Sequence, residues 1–210
     1  MTLYRSTIPL PLAAAVVALV TLAPSALAPF ALAATGDGAT QSALSTTPGT
    51  LKTMEPKGMG LRYRMPETWS QEPRDGHSLL LQGPKATPQW LTTVQITNQQ
   101  NPTPSLPSQG AERVISDYVA YIQTKGQNQE ILREAPFHYV NSGPGVDGTQ
   151  AVSRFQGKEG PIRQWIVAIG RADIPVVHVA IYSAPDDLFD DGLPAARAIV
   201  ESMTVIPAKR

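Results

Sequence analysis

Between residues 130 and 183 the chain carries four strand-like apolar runs, at 130–140, 149–156, 162–169 and 175–183. The links between them are turn material. Residues 141–148 hold three glycines, Gly157-Lys158-Glu159-Gly160 follows the second run, and 170–174 follows the third. Links this short join antiparallel neighbours, because a parallel pair needs a crossover of about a dozen residues or more. This half of the chain therefore has to fold as a meander. Trp165, Val167 and Ile169 share one face of the third run, and Val177, Val179 and Ile181 share one face of the fourth.

The segment before the meander also alternates. Leu61, Tyr63 and Met65 occupy one face of residues 60–65, Pro66 ends that run, and Trp69 follows in a turn. Residues 78–82 form a short apolar strand after Arg74-Asp75-Gly76. Residues 89–98 alternate again, with Trp90, Thr92, Val94 and Ile96 on one side. Residues 101–107 hold three prolines and read as a loop. A helix follows, with Ser108 as its expected N-cap. Ala111, Val114, Ile115, Tyr118 and Ile122 fall at helical spacing on one stripe. Lys125 lies in its last turn, and Gly126 stands at the position after the C-cap. A second helix closes the chain, with Asp190 and Asp191 near its N-terminus, Pro194 in its first turn, and Leu193, Ala196, Val200 and Met203 facing inward. Residues 203–206 add a last extended piece. Hairpin-linked strands with two helices predict an α+β domain: an antiparallel sheet of about six to seven strands flanked by helices.

The order of these landmarks resembles the PsbP-like superfamily. A strand ends in Pro66-x-x-Trp69, a short strand follows, and a further strand leads to the long helix. A four-strand meander then ends in Ser183-Ala184-Pro185, and the terminal helix runs into Val200-Glu201-Ser202-Met203. That superfamily includes the extrinsic P subunit of photosystem II, the yeast Ran-binding Mog protein and periplasmic proteins of the DcrB type. The resemblance spans roughly residues 58–207. It implies an α/β/α sandwich with helices on both faces of the sheet, and a non-enzymatic role in binding or assembly. It carries over no catalytic residue. DcrB-type members are often lipoproteins, and this chain departs from them by having no cysteine.

Residues 1–33 read as a signal peptide. The segment has one charge, Arg5, then an apolar core from Leu12 to Leu22, then the small-residue sites Ala26-Leu27-Ala28 and Ala31-Leu32-Ala33. A basic start, a short apolar core and an A-x-A site define a secretory signal. Pro29 directly after the first site disfavours cleavage there, which leaves cleavage after Ala33. No twin arginine is present, so the general Sec route is expected, with a periplasmic destination. Secretion into the medium, or an uncleaved signal serving as an anchor, is the alternative. Once the signal is removed, no stable membrane insertion is expected. Residues 34–58 are rich in Thr, Ser, Gly and Ala and read as a disordered tether, because such a composition buries too little to offset its ordering entropy. Residues 59–207 are the expected domain.

Composition narrows the chemistry. Without cysteine, no disulfide, thiolate metal site, iron–sulfur cluster or cysteine nucleophile can form. Seventeen Lys and Arg balance seventeen Asp and Glu, where a nucleic-acid binder needs a basic excess. His77, His138 and His178 stand at least 40 positions apart, and none has a second ligand at helical spacing. His178 alternates with Val177 and Val179 and reads as a structural histidine. Asp186, Asp187, Asp190 and Asp191 form the densest acidic cluster. An EF-hand with Gly192 at its sixth position would put Phe189 at the third and Ala198 at the twelfth, so that pattern fails. There is no Gly-x-Ser-x-Gly elbow, phosphate loop or dinucleotide fingerprint. No cofactor and no metal are expected.

The best candidate for a docking patch is basic: Arg154, Lys158, Arg163 and Arg171, with Arg154 and Arg163 facing each other near Lys158. A solvated outer strand face explains the same residues. The expected function is that of a non-catalytic accessory or binding protein docking to a protein partner in the cell envelope. Two alternatives stand beside it. One is a binder of a small apolar or anionic ligand in a groove between the sheet and the long helix, rimmed by residues 98–107 and 141–148. The other is a hydrolase with a site assembled by the fold.

Overall fold

The computed structural model describes residues 49–125, 129–139, 141 and 143–209. The signal segment, most of the tether and Gly126 lie outside these residues.

Among the described residues ten strands and two α-helices follow one another as β1 (Leu51–Met54), β2 (Leu61–Pro66), β3 (Ser70–Asp75), β4 (Ser78–Gln82), β5 (Thr93–Gln100), α1 (Pro107–Lys125), β6 (Glu130–Phe137), β7 (Gly148–Gln156), β8 (Pro161–Gly170), β9 (Val176–Pro185), α2 (Phe189–Glu201) and β10 (Thr204–Val205). Seven strands form one antiparallel sheet in the order β3-β4-β5-β9-β8-β7-β6. A second sheet, β1-β2-β10, is also antiparallel. The meander β6 to β9 pairs strand with next strand, as its short links require.

Each face of the large sheet has its own core. On one face α1 lays Ala111, Ile115, Tyr118 and Ile122 against Ala151, Ile166, Ala168, Val177 and Val179. Burying side chains of this size contributes roughly 1.5–3 kcal/mol each. Tyr118 carries its hydroxyl into this layer. It donates to Gln164 Oε1 at 2.7 Å and meets Ser153 Oγ at 3.0 Å, while Gln164 Nε2 donates to Ser183 Oγ at 2.8 Å. On the other face the small sheet and α2 close over Val94, Ile96, Trp165, Val167, Ile169 and Tyr182. Leu61, Tyr63 and Met65 of β2 are fully buried there. The two alternating triads, Trp165/Val167/Ile169 and Val177/Val179/Ile181, thus serve opposite cores.

Several local features differ from expectation. β1 lies inside the stretch expected to be tether, because Leu51–Met54 finds a partner in the outer edge of β2. β3, with the sequence SQEPRD, shows no alternation that would betray it and is held by pairing with β4 at the sheet edge. Trp90 leaves the strand expected over 89–98: Pro88 opens a 3-10 turn over Pro88–Leu91, and β5 begins at Thr93. Helix α1 starts one residue before Ser108. Pro107 takes the first helical position, where its missing N–H leaves no orphan, and the Leu106 carbonyl accepts from Gly110 N at 3.0 Å.

Candidate docking groove

The two helices cover the large sheet unequally. α1 packs on β7, β8 and β9, while α2 packs mainly on β9 and on β2 of the small sheet. Trp165 of β8, Gln150 and Val152 of β7, and Arg133, Ala135 and Phe137 of β6 project toward the α2 side, where Trp165 and Phe137 are buried, Ala135 is half-buried and Arg133 is exposed. A cleft of about 410 Å³ opens there, with Arg197 and Glu201 of α2 as its far wall. A smaller hollow of about 130 Å³ adjoins it over Val152, Phe189 and Leu193.

The floor of the cleft is fixed by a side-chain amide. Gln150 Oε1 accepts from the Trp165 indole N–H at 2.9 Å, and Gln150 Nε2 donates to the Pro136 carbonyl at 2.9 Å. One residue thereby pins both the indole and the edge strand. The Phe137 ring lies 6.4 Å from Trp165 at 58°, a tilted aromatic contact. Above the indole sits the Arg197 guanidinium, 5.8 Å from the ring centroid, a cation–π distance. Arg197 also reaches Glu201 at 3.4 Å, one turn along α2. Arg133 lines both hollows and is exposed, and among the described residues it makes no ion pair. His138 stands at the rim, 3.3 Å from Asp147, whose carboxyl is held below the usual range by the Tyr139 backbone N–H and then by His138. Two guanidinium groups over an aromatic floor can hold carboxylates and apolar side chains. The lining offers no hydroxyl nucleophile with a base beside it.

The four basic residues singled out in the sequence do not form one surface. Arg154 and Arg163 are directly opposed across β7 and β8, as the hairpin predicts. Both turn to Asp186, each at 2.7 Å, and Arg163 also holds Asp190 at 3.2 Å and lies 4.9 Å from the Phe189 ring. The acidic cluster thus absorbs their charge. Lys158 is exposed in the turn between the two strands. Arg171 is at the opposite end of β8, about 26 Å away at strand rise. It is buried, with its guanidinium bonded to Asp173 and to the carbonyls of Gly60 and Ile206. It is a clasp between the two sheets rather than a docking residue.

His178 is buried in the core beneath the small sheet. Asn98 Nδ2 donates to the Met59 carbonyl, which leaves Asn98 Oδ1 facing His178 Nδ1 at 2.7 Å. Nδ1 therefore carries the proton. Nε2 is a buried acceptor with no partner among the described residues. Burial, reinforced by the Arg171 charge, pushes the imidazole down to about 3. It is neutral and structural. Among the described residues no three His, Asp or Glu side chains converge on a metal-sized site.

The groove expected between the sheet and the long helix is not where the two clefts lie; Ala111, Ile115, Tyr118 and Ile122 of α1 are buried against that face. The open cleft belongs to α2. One sequence signal marks it: Arg133, Ala135 and Phe137 alternate onto one side of β6, and Arg133 stands there in line with two apolar residues. Its counterpart Arg197 carries no such mark.

A seven-stranded antiparallel sheet with α1 on one face and α2 with the small sheet on the other defines an α+β fold of the α/β/α sandwich kind. In particular, the chain has the PsbP/Mog1-like fold. The crystal structure of the Ran-binding protein Mog1p from Saccharomyces cerevisiae superposes with a TM-score of 0.53 at 9% identity, covering 75% of this chain and 96% of that one. The solution structure of cyanobacterial PsbP (CyanoP) from Synechocystis sp. PCC 6803 superposes with a TM-score of 0.52 at 10% identity, covering 74% and 92%. At such identities the likeness is one of fold. No protein-family model matches the chain, and no curated protein matches it in sequence.

Proposed function

We propose that this is an exported, non-catalytic accessory protein that docks a protein partner in the cell envelope through the groove between β6 and α2. The observation that carries the reading is the groove itself: a solvent-open trough with an aromatic floor and two arginines, next to the free edge of the large sheet. The fold supports it, since solved proteins of the same fold include one described as Ran-binding. The apolar core after Arg5 and the Ala31-Leu32-Ala33 site support Sec-dependent export to the periplasm, with secretion as the alternative. No helix among the described residues is long and apolar enough to cross a membrane.

Two measurements test this reading. N-terminal sequencing of protein recovered from the fractionated host should begin at Ala34; a start at Met1 in the cytosol would sink the export claim. Photo-crosslinking in living cells from residues around the groove should trap a discrete protein adduct, and repeated absence of any adduct would retire the docking role.

A further inference from the structure

The occupant of the groove can be specified by chemistry. We propose that it is an extended, acidic segment of the partner protein, with an apolar side chain seated against the Phe137 and Trp165 side of the trough and flanking carboxylates paired to Arg133 and Arg197. This rests on the docking reading above.

Charge is the first argument. Arg133 has no ion pair among the described residues, and Arg197 is held only loosely by Glu201 at 3.4 Å. Elsewhere on the same side of the molecule the arginines are taken: Arg154 and Arg163 are both bound to Asp186 at 2.7 Å. The groove therefore presents cationic heads whose partners the described fold does not supply, and guanidinium groups match carboxylates in geometry as well as sign.

Shape is the second argument. The cleft is open toward solvent, so a compact small molecule would be covered on one side only, whereas ligand pockets normally enclose most of their ligand. An open trough beside a sheet edge suits a chain in extended form. β6 is that edge, paired to β7 and, among the described residues, to no other strand. Its register shifts between Ile131 and Arg133, so the ladder is interrupted at Leu132. Leu132 is 43% exposed, one of three large apolar side chains left so open among the described residues. A segment lying along β6 would cover Leu132 while its carboxylates meet Arg133 and Arg197.

Purified exported protein should be titrated with a fluorescent synthetic peptide repeating Glu-Ser-Phe-Ser, which puts Glu and Phe on one face when extended, and with versions carrying Gln or Lys in place of Glu, at low and high salt. The Glu peptide should bind and weaken with salt, the Gln peptide should bind more weakly, and the Lys peptide should not bind. Arg133→Glu and Arg197→Glu should each lose about tenfold or more in affinity; melting should be unchanged in Arg133→Glu, whose side chain is exposed and makes no ion pair among the described residues, and slightly lowered in Arg197→Glu, which loses its contacts with Trp165 and Glu201. No binding of the Glu peptide, equal binding of the Gln peptide, or unchanged affinity in both variants overturns the proposal. In cells, a photo-crosslinker at Leu132 should trap an acidic segment of another protein. Capture of a second copy of this chain, or of a basic or neutral segment, overturns it. Capture from a crosslinker at Lys158 but not at Leu132 leaves docking standing and removes the groove; capture from neither removes both.

Discussion

Arg171 grips the carboxylate of Asp173, two residues further on, with both ends of its fork: Nε at 2.8 Å to one oxygen and Nη2 at 2.6 Å to the other. The guanidinium, only 2% exposed, also donates to the Gly60 carbonyl at 3.2 Å and the Ile206 carbonyl at 2.7 Å. One side chain thereby ties the end of β8 to the end of the small sheet where β2 begins and β10 ends. The pairing holds the Asp173 carboxyl down to about 2.

Arg171→Ala should therefore destabilise the protein by about 3 kcal/mol, since it strands a partly buried carboxylate and the Ile206 carbonyl, while the Gly60 carbonyl keeps only the Ile206 N–H. Thermal melting should fall by roughly 6–12 °C for a domain of this size. Arg171→Lys should recover little, because an ammonium cannot span four acceptors in the geometry of the fork. A Lys variant that melts like the wild type would contradict the clasp.

His178 gives stability a defined pH dependence. Its folded pKa lies below its ordinary 6.5, so the unfolded chain binds a proton that the folded one refuses. The contribution is complete above about 6.5 and is lost as pH falls toward 3, at up to ~1.4 kcal/mol per pH unit. Urea unfolding at pH 7 and pH 5 should show this loss, and His178→Gln should flatten it. Asp173 acts in the same direction only at lower pH, so the interval from 5 to 7 isolates the histidine.

Gly192 sits inside α2 with Tyr182 Oη and the Thr92 methyl where a β-carbon would go. Alanine would gain roughly 1 kcal/mol of helix propensity. Tyr182 cannot retreat, being buried with its hydroxyl bonded to the Phe189 carbonyl at 2.9 Å. Overpacking typically costs about 1–3 kcal/mol, so Gly192→Ala should be a net loss of about 1 kcal/mol in chemical unfolding. A stabilised variant would show that α2 can slide.

Tyr118→Phe should cost about 1.5 kcal/mol, because it leaves Gln164 Oε1 and Ser153 Oγ without their shared partner beneath α1. Burial also pushes the Tyr118 phenol up to about 12. Spectrophotometric titration should therefore find one fewer ionising tyrosine near pH 10 than an unfolded control for this residue alone, and the variant should leave that folded-state count unchanged.

Alternation made the sheet readable wherever one face is buried. Trp165/Val167/Ile169 and Val177/Val179/Ile181 announced strands, and Ala111 to Ile122 announced the long helix. β3 was invisible because an edge strand of Ser, Gln, Glu, Pro and Arg buries almost nothing and exists through its backbone pairing with β4. Trp90 was misplaced because Pro88 nucleates a turn within an alternating run. The hairpin correctly opposes Arg154 and Arg163, yet Arg171 is buried at the far end of β8, since strand length separates residues that sequence keeps close. The groove depends on Arg133 and Arg197, and their meeting is set by where α2 lands on the sheet. No local pattern encodes that placement.

The small sheet is completed from the far end of the chain: Thr204 and Val205 pair with Arg62 and Leu61, and the Arg64 N–H finds Ser202 Oγ 138 positions away. A chain made from its N-terminus must therefore leave the inner edge of β2 bare until residue 205 has emerged. Residues 204 and 205 then occupy it, and Met203 and Val205 enter the core as they do. A chain that stops before residue 203 would keep an open strand edge with a hollow beneath it, so closure of the small sheet waits on a segment about 140 positions downstream of β2.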